Sequence, residues 1–391
     1  MLILNALLPQ DPENYTKTIK IADGKITAID KASAQPFNAH GEEILDGTDL
    51  YLLPGLIDIH THGCAGHDFC DATQESLEAI ANYQLQQGIT GFCPTSMTLS
   101  EARLTEIFAN AALFKERQER GEVGGAKLLG INMEGPFLAP AKLGAQNPEF
   151  LHLPDVAMFR RLQKAANGLI KLVTIAPELP GALEFIQELK DEVIISLGHS
   201  NATYAETKQA FNLGASHVTH TYNAMPPLHH REPGLIGAML EQQHASAELI
   251  ADGIHLHPAI VQFTVNYLQQ QKRHIGPVLI SDSMEATGMP DGAYMLGGLA
   301  VTKQGRKATL TGTDTIAGSA SNLMDCLKWS HANTVLPFTK LLECCTLAPA
   351  RRLGLTSIGS IALGQTADLL LADKELNIKY VLQNGKIVYA Y

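Results

Sequence analysis

The stretch Pro54-Gly-Leu-Ile-Asp-Ile-His-Thr-His62 decides how the rest of the chain is organised. Residues 52–59 form an apolar run of strand length, and two histidines stand directly at its end. Because side chains alternate along an extended backbone, the His-x-His spacing directs both imidazole rings to the same side. Paired imidazole nitrogens suit zinc or a similar divalent ion. This strand end is therefore a candidate metal site.

Further strand-length runs follow this one and alternate with amphipathic segments. We predict strands at 89–93, 127–133, 170–175, 193–197, 217–219, 248–251 and 278–281. The clearest helices, by their 3.6-residue spacing, are predicted at 100–119, 155–166 and 203–213. Strands that alternate with helices indicate parallel pairing. Eight such units over about 290 residues favour an α/β fold of the (β/α)8 TIM-barrel type. A Gly-rich dinucleotide turn, which would favour an open doubly wound sheet, is absent from the sequence.

The two ends of the chain have a different pattern. Residues 18–29 and 378–389 each contain two short alternating runs, which turn at Asp23-Gly24 and at Asn384-Gly385. Both patterns predict β-hairpins, and residues 367–372 supply another strand. We predict one small β-sandwich domain from residues 1–53 and 350–391, and a barrel domain with the active site from residues 54–349.

Composition excludes several classes of protein. The 391 residues carry 29 basic and 40 acidic side chains, a net charge of −11, which argues against nucleic acid or an anionic membrane as partner. The six cysteines form no Cys-x-x-Cys pair, so a reducing cytoplasm is expected. No apolar run approaches the roughly 18 residues of a membrane helix.

Polar side chains follow most of the predicted strands. The candidate metal ligands and acid–base groups at these positions are His60, His62, Glu134, His199, His220, His255 and Asp282. Because active sites of (β/α)8 barrels lie at the carboxyl ends of the strands, these side chains are expected to meet at one rim. A single histidine is more often a hydrogen-bonded structural residue, and Asp282 alone could be a helix N-cap. Their common rim favours a metal site with Asp282 as the acid–base group.

Most of the remaining histidines are expected to be structural, while His67 lies in a loop, residues 63–71, that is a candidate lining of the site. His217 precedes His220 by an odd number of residues, and this spacing places it on the opposite face of its strand, towards the helices. The histidines without a motif are His40, His152, His244, His274 and His331.

Several longer motifs identify a family that this sequence resembles. Together with residues 54–62, they resemble the N-acetylglucosamine-6-phosphate deacetylases of the amidohydrolase superfamily over essentially the whole chain. The motifs are Glu134-Gly-Pro136, Gly198-His-Ser-Asn-Ala-Thr203, His220-Thr-Tyr-Asn-Ala-Met-Pro226, Arg231-Glu-Pro-Gly234, Ile250-Ala-Asp-Gly-Ile-His255, Ser281-Asp282 and Gly364-Gln-Thr-Ala-Asp368. The resemblance implies a cytoplasmic hydrolase that cleaves N-acetyl-D-glucosamine 6-phosphate to D-glucosamine 6-phosphate and acetate.

The resemblance also implies roles for the rim residues. Glu134, His199 and His220 match the principal metal ligands, while His60 and His62 could hold a second ion, so one or two ions per subunit are expected. Zinc is the expected ion and iron the alternative. Asp282 matches the carboxylate that takes a proton from the attacking water and delivers it to the departing amine. His255 matches a residue that contacts the substrate.

The expected substrate-binding set also includes a phosphate handle. Asn223, the Ala224 backbone and Arg231 match it, and a guanidinium is a natural bidentate partner for phosphate. In the family the residue matching Arg231 reaches across a dimer interface, which implies a homodimer here. The structural alternative for Arg231 is a surface ion pair with Glu232. Ile316 completes the set together with Gln146.

The sequence departs from the family at Gln146, where a histidine is common. Glutamine can form hydrogen bonds but does not titrate. The His229-His230 pair and residues 284–290 resemble the N-acetylgalactosamine-6-phosphate branch, so that sugar is the alternative substrate. A cyclic-amide hydrolase or a deaminase would share the His-x-His pair and Asp282 but would not need Arg231. A scaffold without metal should lack some of the ligands, and here all are present.

Overall fold

A computed structural model describes residues 1–10, 15–31, 42–271, 273 and 275–391. His40 and His274 lie outside the described residues. The strands of the described part are β1 (Leu2–Leu7), β2 (Thr16–Ala22), β3 (Lys25–Lys31), β4 (Ile44–Asp46), β5 (Tyr51–Pro54), β6 (Leu56–Thr61), β7 (Gly63–Cys64), β8 (His67–Asp68), β9 (Ile89–Ser96), β10 (Lys127–Leu128) and β11 (Ile131–Glu134). They continue as β12 (Ile170–Ile175), β13 (Ile194–Leu197), β14 (His217–Val218), β15 (Ser246–Ile250), β16 (Val278–Ile280), β17 (Gly292–Leu296), β18 (Leu299–Gln304), β19 (Lys307–Leu310), β20 (Leu369–Ala372), β21 (Ile378–Gln383) and β22 (Lys386–Ala390).

The α-helices follow the barrel strands. They are α1 (Gln74–Gln86), α2 (Glu101–Glu119), α3 (Val156–Ala165), α4 (Ala182–Leu189), α5 (Tyr204–Leu213), α6 (Gly234–Glu241), α7 (Pro258–Gln270), α8 (Leu323–Asn333), α9 (Phe338–Cys345) and α10 (Leu347–Arg352). Short 3₁₀ turns lie at Phe69–Asp71, Pro140–Lys142 and Pro148–Phe150. Within the described ranges, no helix has both the length and the apolar character that crossing a membrane requires.

The middle of the chain forms the predicted (β/α)8 barrel. Its parallel strands pair in the order β6, β9, β11, β12, β13, β14, β15 and β16, and β10 extends the β11 position by pairing with β9. A parallel bridge between Thr61 and Ser283 brings the last strand back to the first. One helix from α1 to α8 follows each barrel position. The carboxyl ends of all the strands therefore meet on one rim.

Two predicted strands are interrupted in the structure. The run 52–59 divides at Gly55 into β5, which pairs with β20, and β6, which pairs with β9. A Cβ atom at Gly55 would overlap the Thr90 side chain, so the chain can pass from one sheet to the other only with glycine here. The run 127–133 divides into β10 and β11, which stay in one sheet because both pair with β9. Both runs are mostly apolar, so hydrophobicity alone does not mark the division.

The three clearest helices begin one residue later than their predicted spans. Ser100, Asp155 and Thr203 have extended backbones and cap the helices, since each side chain accepts a hydrogen bond from a backbone N–H three residues on. This is the usual chemistry of an N-cap.

Both chain ends contribute to one sheet, as predicted. Its order is β22-β21-β20-β5-β1-β2-β3, and β4 pairs with β1. The sheet is mixed, because β1 runs parallel to β4 and β5. Asp23, Gly24, Asn384 and Gly385 have φ between 47° and 72°, the conformation that a two-residue hairpin turn requires. Lys127 of the barrel pairs with Asp368 of this sheet at 2.7 Å.

Strands β17 to β19 were not predicted from the sequence. They form an antiparallel sheet between β16 and α8. Their exposed positions include both polar and apolar residues, such as Thr302 and Met295, while Leu296, Val301 and Ala308 are buried. The buried positions are too few and too small to give a strong alternating signal.

We predict that Gly253→Ala destabilises the loop between β15 and α7. Gly253 has φ +81°, and a Cβ atom there would overlap the indole ring of Trp329. The left-handed backbone costs about 1–2 kcal/mol for alanine, and the overlap adds about 1–3 kcal/mol.

Gly312→Ala is the matched control. Gly312 has φ +79°, but a Cβ atom there meets nothing within 4 Å. Urea unfolding should therefore show a larger loss of unfolding free energy for Gly253→Ala than for Gly312→Ala. Equal losses would contradict the packing of Gly253 against Trp329.

Candidate active site

The predicted rim residues surround one cavity of about 330 Å³ at the carboxyl ends of the barrel strands. Its lining includes the following predicted site residues: His62, Glu134, Gln146, His199, His220, Asn223, Ala224, His255, Asp282 and Ile316. His60 is fully buried beneath them. Arg231 is exposed and does not belong to the lining. The structure thus brings together the predicted set with the exception of Arg231.

The backbone turns sharply where three strands reach this rim. His199, His220 and Asp282 have φ of 46°, 24° and 50°. Left-handed backbone is unfavourable for residues with a Cβ atom and tends to concentrate at functional sites. Each of these residues lies two positions beyond the end of its strand, and its polar side chain lines the cavity.

The spacing predicted that His217 faces the helices, and this prediction is wrong. His217 is fully buried, and its Nε2 lies 3.0 Å from Oε1 of Glu248, which also contacts His60. Strand β14 ends at Val218, and the left-handed backbone at His220 breaks the alternation of side chains. The odd spacing between His217 and His220 therefore does not place them on opposite faces.

Glu134 lies at the centre of a cluster of histidines. Its Oε1 lies 3.2 Å from Nε2 of His199 and 2.9 Å from Nε2 of His220. Its Oε2 lies 3.4 Å from Nε2 of His62, and Nε2 of His60 lies 3.6 Å from Oε1. His60, His62 and Glu134 form one group of possible ligand atoms within 4.8 Å of one another, and Glu134, His199 and His220 form a second.

The hydrogen bonds of the Nδ1 atoms, which face away from the cavity, determine whether the Nε2 atoms carry hydrogen or a lone pair. Nδ1 of His62 lies 3.1 Å from the carbonyl oxygen of Thr95, and Nδ1 of His199 lies 2.8 Å from that of Lys142. A carbonyl only accepts, so both Nδ1 atoms carry hydrogen and, in the neutral rings, both Nε2 atoms present lone pairs to the cavity. Nε2 of His60 is buried without a hydrogen-bond partner. Inward lone pairs beside a carboxylate are the donor set that a divalent metal ion requires.

The charge of the cluster favours a cation as well. Burial alone would lower the pKa of His60, but the carboxylates of Glu248, Glu134 and Asp282 outweigh it and raise the pKa to about 10. Burial would raise the pKa of Glu134, but His60 and His199 hold it well below its usual range. Buried carboxylates are stable only with compensating positive charge. A divalent ion meets this requirement, and the residues present fit one.

Asp282 is placed for acid–base work on this cluster. Its Oδ1 lies 3.2 Å from Nε2 of His62 and 3.4 Å from Nε2 of His60. Burial would raise the pKa of Asp282, but His60 and His62 lower it below its ordinary value. The N-cap alternative is wrong, because strands β17 to β19 follow and the next helix, α8, is capped by Asn322.

His255 is held by a carboxylate that the sequence analysis did not single out. Its Nδ1 lies 2.9 Å from Oδ2 of Asp252, whose Oδ1 accepts hydrogen bonds from the backbone of Ile254 and His255. Burial would raise the pKa of Asp252, but its contacts with His255 lower it. Asp252 fixes the orientation of the ring, which lines the cavity. An acidic residue at the end of an apolar strand, three residues before a candidate histidine, was the available signal.

Gln146 contacts Glu134 directly. Its Nε2 donates to Oε2 of Glu134 at 2.7 Å, and its Oε1 accepts from the Thr98 backbone at 2.7 Å. The amide therefore has a fixed, uncharged role beside the proposed ligand. A histidine at this position would introduce a group that titrates.

Arg231 is exposed and does not line the cavity of its own chain. Its Nη1 lies 2.8 Å from Nε2 of His230. Within the described part of the chain, Glu232 accepts instead from the backbones of Tyr204 and Gly234. The ion pair between Arg231 and Glu232 is therefore absent from the structure as described.

Comparison with known proteins identifies the family of this chain. Residues 51–388 match the amidohydrolase family. The N-acetylglucosamine-6-phosphate deacetylase of Bacillus subtilis (strain 168) is 38% identical over 373 residues, which cover 95% of this chain and 92% of that protein. The N-acetylgalactosamine-6-phosphate deacetylase of Escherichia coli O157:H7 is 34% identical and covers 94% of each chain.

A solved structure has the same fold over its whole length. It is a mutant of the N-acetyl-D-glucosamine-6-phosphate deacetylase from Mycobacterium smegmatis in complex with N-acetyl-D-glucosamine-6-phosphate. Its TM-score is 0.87 at 32% identity, and the match covers 100% of this chain and 99% of that chain. Since these matches span the barrel and most of the terminal sheet, the chain belongs to the amidohydrolase family and, within it, to the N-acetylglucosamine-6-phosphate deacetylase group.

Proposed function

We propose that this protein hydrolyses N-acetyl-D-glucosamine 6-phosphate to D-glucosamine 6-phosphate and acetate. The observation that carries the proposal is the cluster of Glu134, His199 and His220, which opens with Asp282 onto one cavity. The Mycobacterium smegmatis relative, solved with this sugar phosphate, supports the choice of substrate. N-acetyl-D-galactosamine 6-phosphate is the alternative, since a 34% identical relative is named for that sugar.

The proposed cofactor is zinc, with iron as the alternative. Glu134, His199 and His220 would hold one ion, and His60 and His62 with Glu134 would hold a second. When bound, a divalent ion supplies Lewis acidity that activates water and polarises the acetyl carbonyl.

The chain's own residues would move the proton and hold the sugar. The carboxylate of Asp282 would accept a proton from the attacking water and donate it to the amide nitrogen, so that the carbon–nitrogen bond breaks and a free amine leaves. The orientation of His255 by Asp252 makes the ring available for a sugar hydroxyl or for the acetyl oxygen.

The phosphate would be bound by Asn223, the Ala224 backbone and Arg231. Asn223 and Ala224 line the cavity, whereas Arg231 is exposed and does not line it. We therefore propose a homodimer in which Arg231 completes the site of the partner subunit. The cytoplasmic location rests on the cysteine pattern of the sequence and stays a prediction.

The function is tested by measuring acetate release from the two 4-epimers with one metal-loaded preparation. We expect N-acetyl-D-glucosamine 6-phosphate to have the higher kcat/KM. A higher value for N-acetyl-D-galactosamine 6-phosphate would assign the alternative. Release of acetate from neither sugar, with cleavage of a cyclic amide instead, would overturn the proposal.

Asp282→Asn should lower kcat by about 10²–10⁴-fold, the usual contribution of a general acid–base group. The amide cannot take the proton from water, but it retains the shape of the carboxylate. Metal content measured on the same sample should stay close to that of the unmodified chain. Retained turnover would remove Asp282 from its assigned role.

The position of Arg231 in a dimer can be tested by mixing inactive variants. Arg231→Ala and Asp282→Asn homodimers should each be nearly inactive on the sugar phosphate. After subunit exchange, a mixed dimer has one site with an intact Asp282 and an Arg231 from the other subunit, so activity should return. Mixtures that stay inactive despite proven exchange would contradict a contribution across the interface.

A further inference from the structure

A buried carboxylate below the cavity has no place in the proposed reaction. Glu248 lies in the middle of β15, is 0% exposed, and does not line the cavity. Both groups of possible metal ligands exclude it. An ionised carboxylate costs several kcal/mol to bury unless it is fully paired. An apolar side chain would fill this position in the barrel at less cost, so packing alone does not explain Glu248.

The contacts of Glu248 connect the two groups of ligands. Its Oε2 lies 2.9 Å from Nδ1 of His60 and accepts from the backbone N–H of His220 at 3.0 Å. His60 belongs to one group and His220 to the other. The second oxygen, Oε1, lies 3.0 Å from Nε2 of His217. One carboxylate therefore contacts a proposed ligand of each group from behind.

The contact with His60 determines what that ring presents to the cavity. In the neutral ring, which is the form that binds a metal, Nδ1–H is donated to the carboxylate and Nε2 has a lone pair directed towards Glu134 and Asp282. A carboxylate behind a histidine also makes the imidazole a stronger donor to a metal. His60 thus has a charged acceptor, whereas His62 and His199 have neutral carbonyl oxygens.

The contact with His220 acts on the backbone. His220 has φ 24°, which is unfavourable for a residue with a Cβ atom. The hydrogen bond from its N–H to Glu248 stabilises this conformation, which directs the ring to Glu134. His217 holds the other end of the carboxylate, and its Nδ1 lies 2.6 Å from the hydroxyl of Ser246.

We propose that Glu248 is a positioning residue of the metal centre, which fixes the tautomer of His60 and the backbone turn of His220 so that both groups of ligands can hold an ion. This inference rests on the metal site of the proposed function, but it does not depend on which substrate is cleaved.

The experiment is a metal titration of Glu248→Gln and Glu248→Ala. The amide of Glu248→Gln can accept from His60 and His220 through its oxygen, while its NH₂ group faces His217, so the shape is kept and the charge is lost. Zn²⁺ affinity is measured by competition with a chelator, and the Co²⁺-loaded proteins give an absorption spectrum that reports ligand geometry. We expect metal affinity to fall about tenfold in Glu248→Gln and about 100-fold in Glu248→Ala, the range typical of groups behind metal ligands.

Thr174→Val is the matched control. Thr174 is fully buried inside the same barrel, and its hydroxyl lies 2.8 Å from that of Thr219. Thr174 pairs with Glu134 of the neighbouring strand through the backbone, and valine keeps this pairing. The control should lose stability but retain metal affinity and the Co²⁺ spectrum. Should Glu248→Ala fail to fold, the isosteric Glu248→Gln carries the test.

Three results would overturn the inference. They are unchanged affinity in both Glu248 variants, an equal loss of affinity in Thr174→Val, and an unmodified chain that binds neither Zn²⁺ nor Co²⁺. Because metal binding is measured without substrate, a chain whose metal affinity depends on Glu248 but that releases no acetate would overturn the proposed function alone.

Discussion

The burial of negative charge at the carboxyl end of the barrel is the constraint on which the rest of the site depends. Glu134, Glu248 and Asp282 lie within reach of the same buried imidazole ring, that of His60, where little water can screen them. Carboxylates so placed must be paired with hydrogen-bond donors or with cations. The histidines, their outer hydrogen bonds and the left-handed strand ends all serve this requirement. This arrangement of carboxylates and imidazoles fits a divalent metal ion.

The barrel and most of the cavity could be predicted from the sequence for a physical reason. Parallel strands are buried on both faces and therefore appear as apolar runs, and residues just beyond those runs must meet on one rim. Residues such as His199 and Asp282 were found in this way. The position of a residue after a strand says nothing about residues within the strand. The contacts of Glu248 with the histidines were therefore not predicted, although Glu248 is an ionisable residue in an apolar run. His217 was misplaced because regular alternation ends where β14 ends.

The division between the terminal sheet and the barrel at Gly55 could not be predicted from the sequence. An apolar run that passes between two sheets has the same composition on both sides of the break. Only the close approach of Thr90 identifies the glycine, and such an approach is a tertiary property. Gln146 is a comparable case, because its contact with Glu134 depends on a loop between β11 and α3 that no periodicity describes. The role of Arg231 also cannot be assigned from its own chain, since the site that it is proposed to complete belongs to the partner subunit.

The central claim is that the buried cluster binds a divalent metal ion. Anomalous diffraction at the zinc and iron absorption edges, from crystals grown after metal loading, tests it most directly. We expect an anomalous peak enclosed by Oε1 of Glu134 and Nε2 of His199 and His220, at about 2.0–2.2 Å from these atoms for zinc. A loaded crystal with these side chains in place and no anomalous peak among them would contradict it.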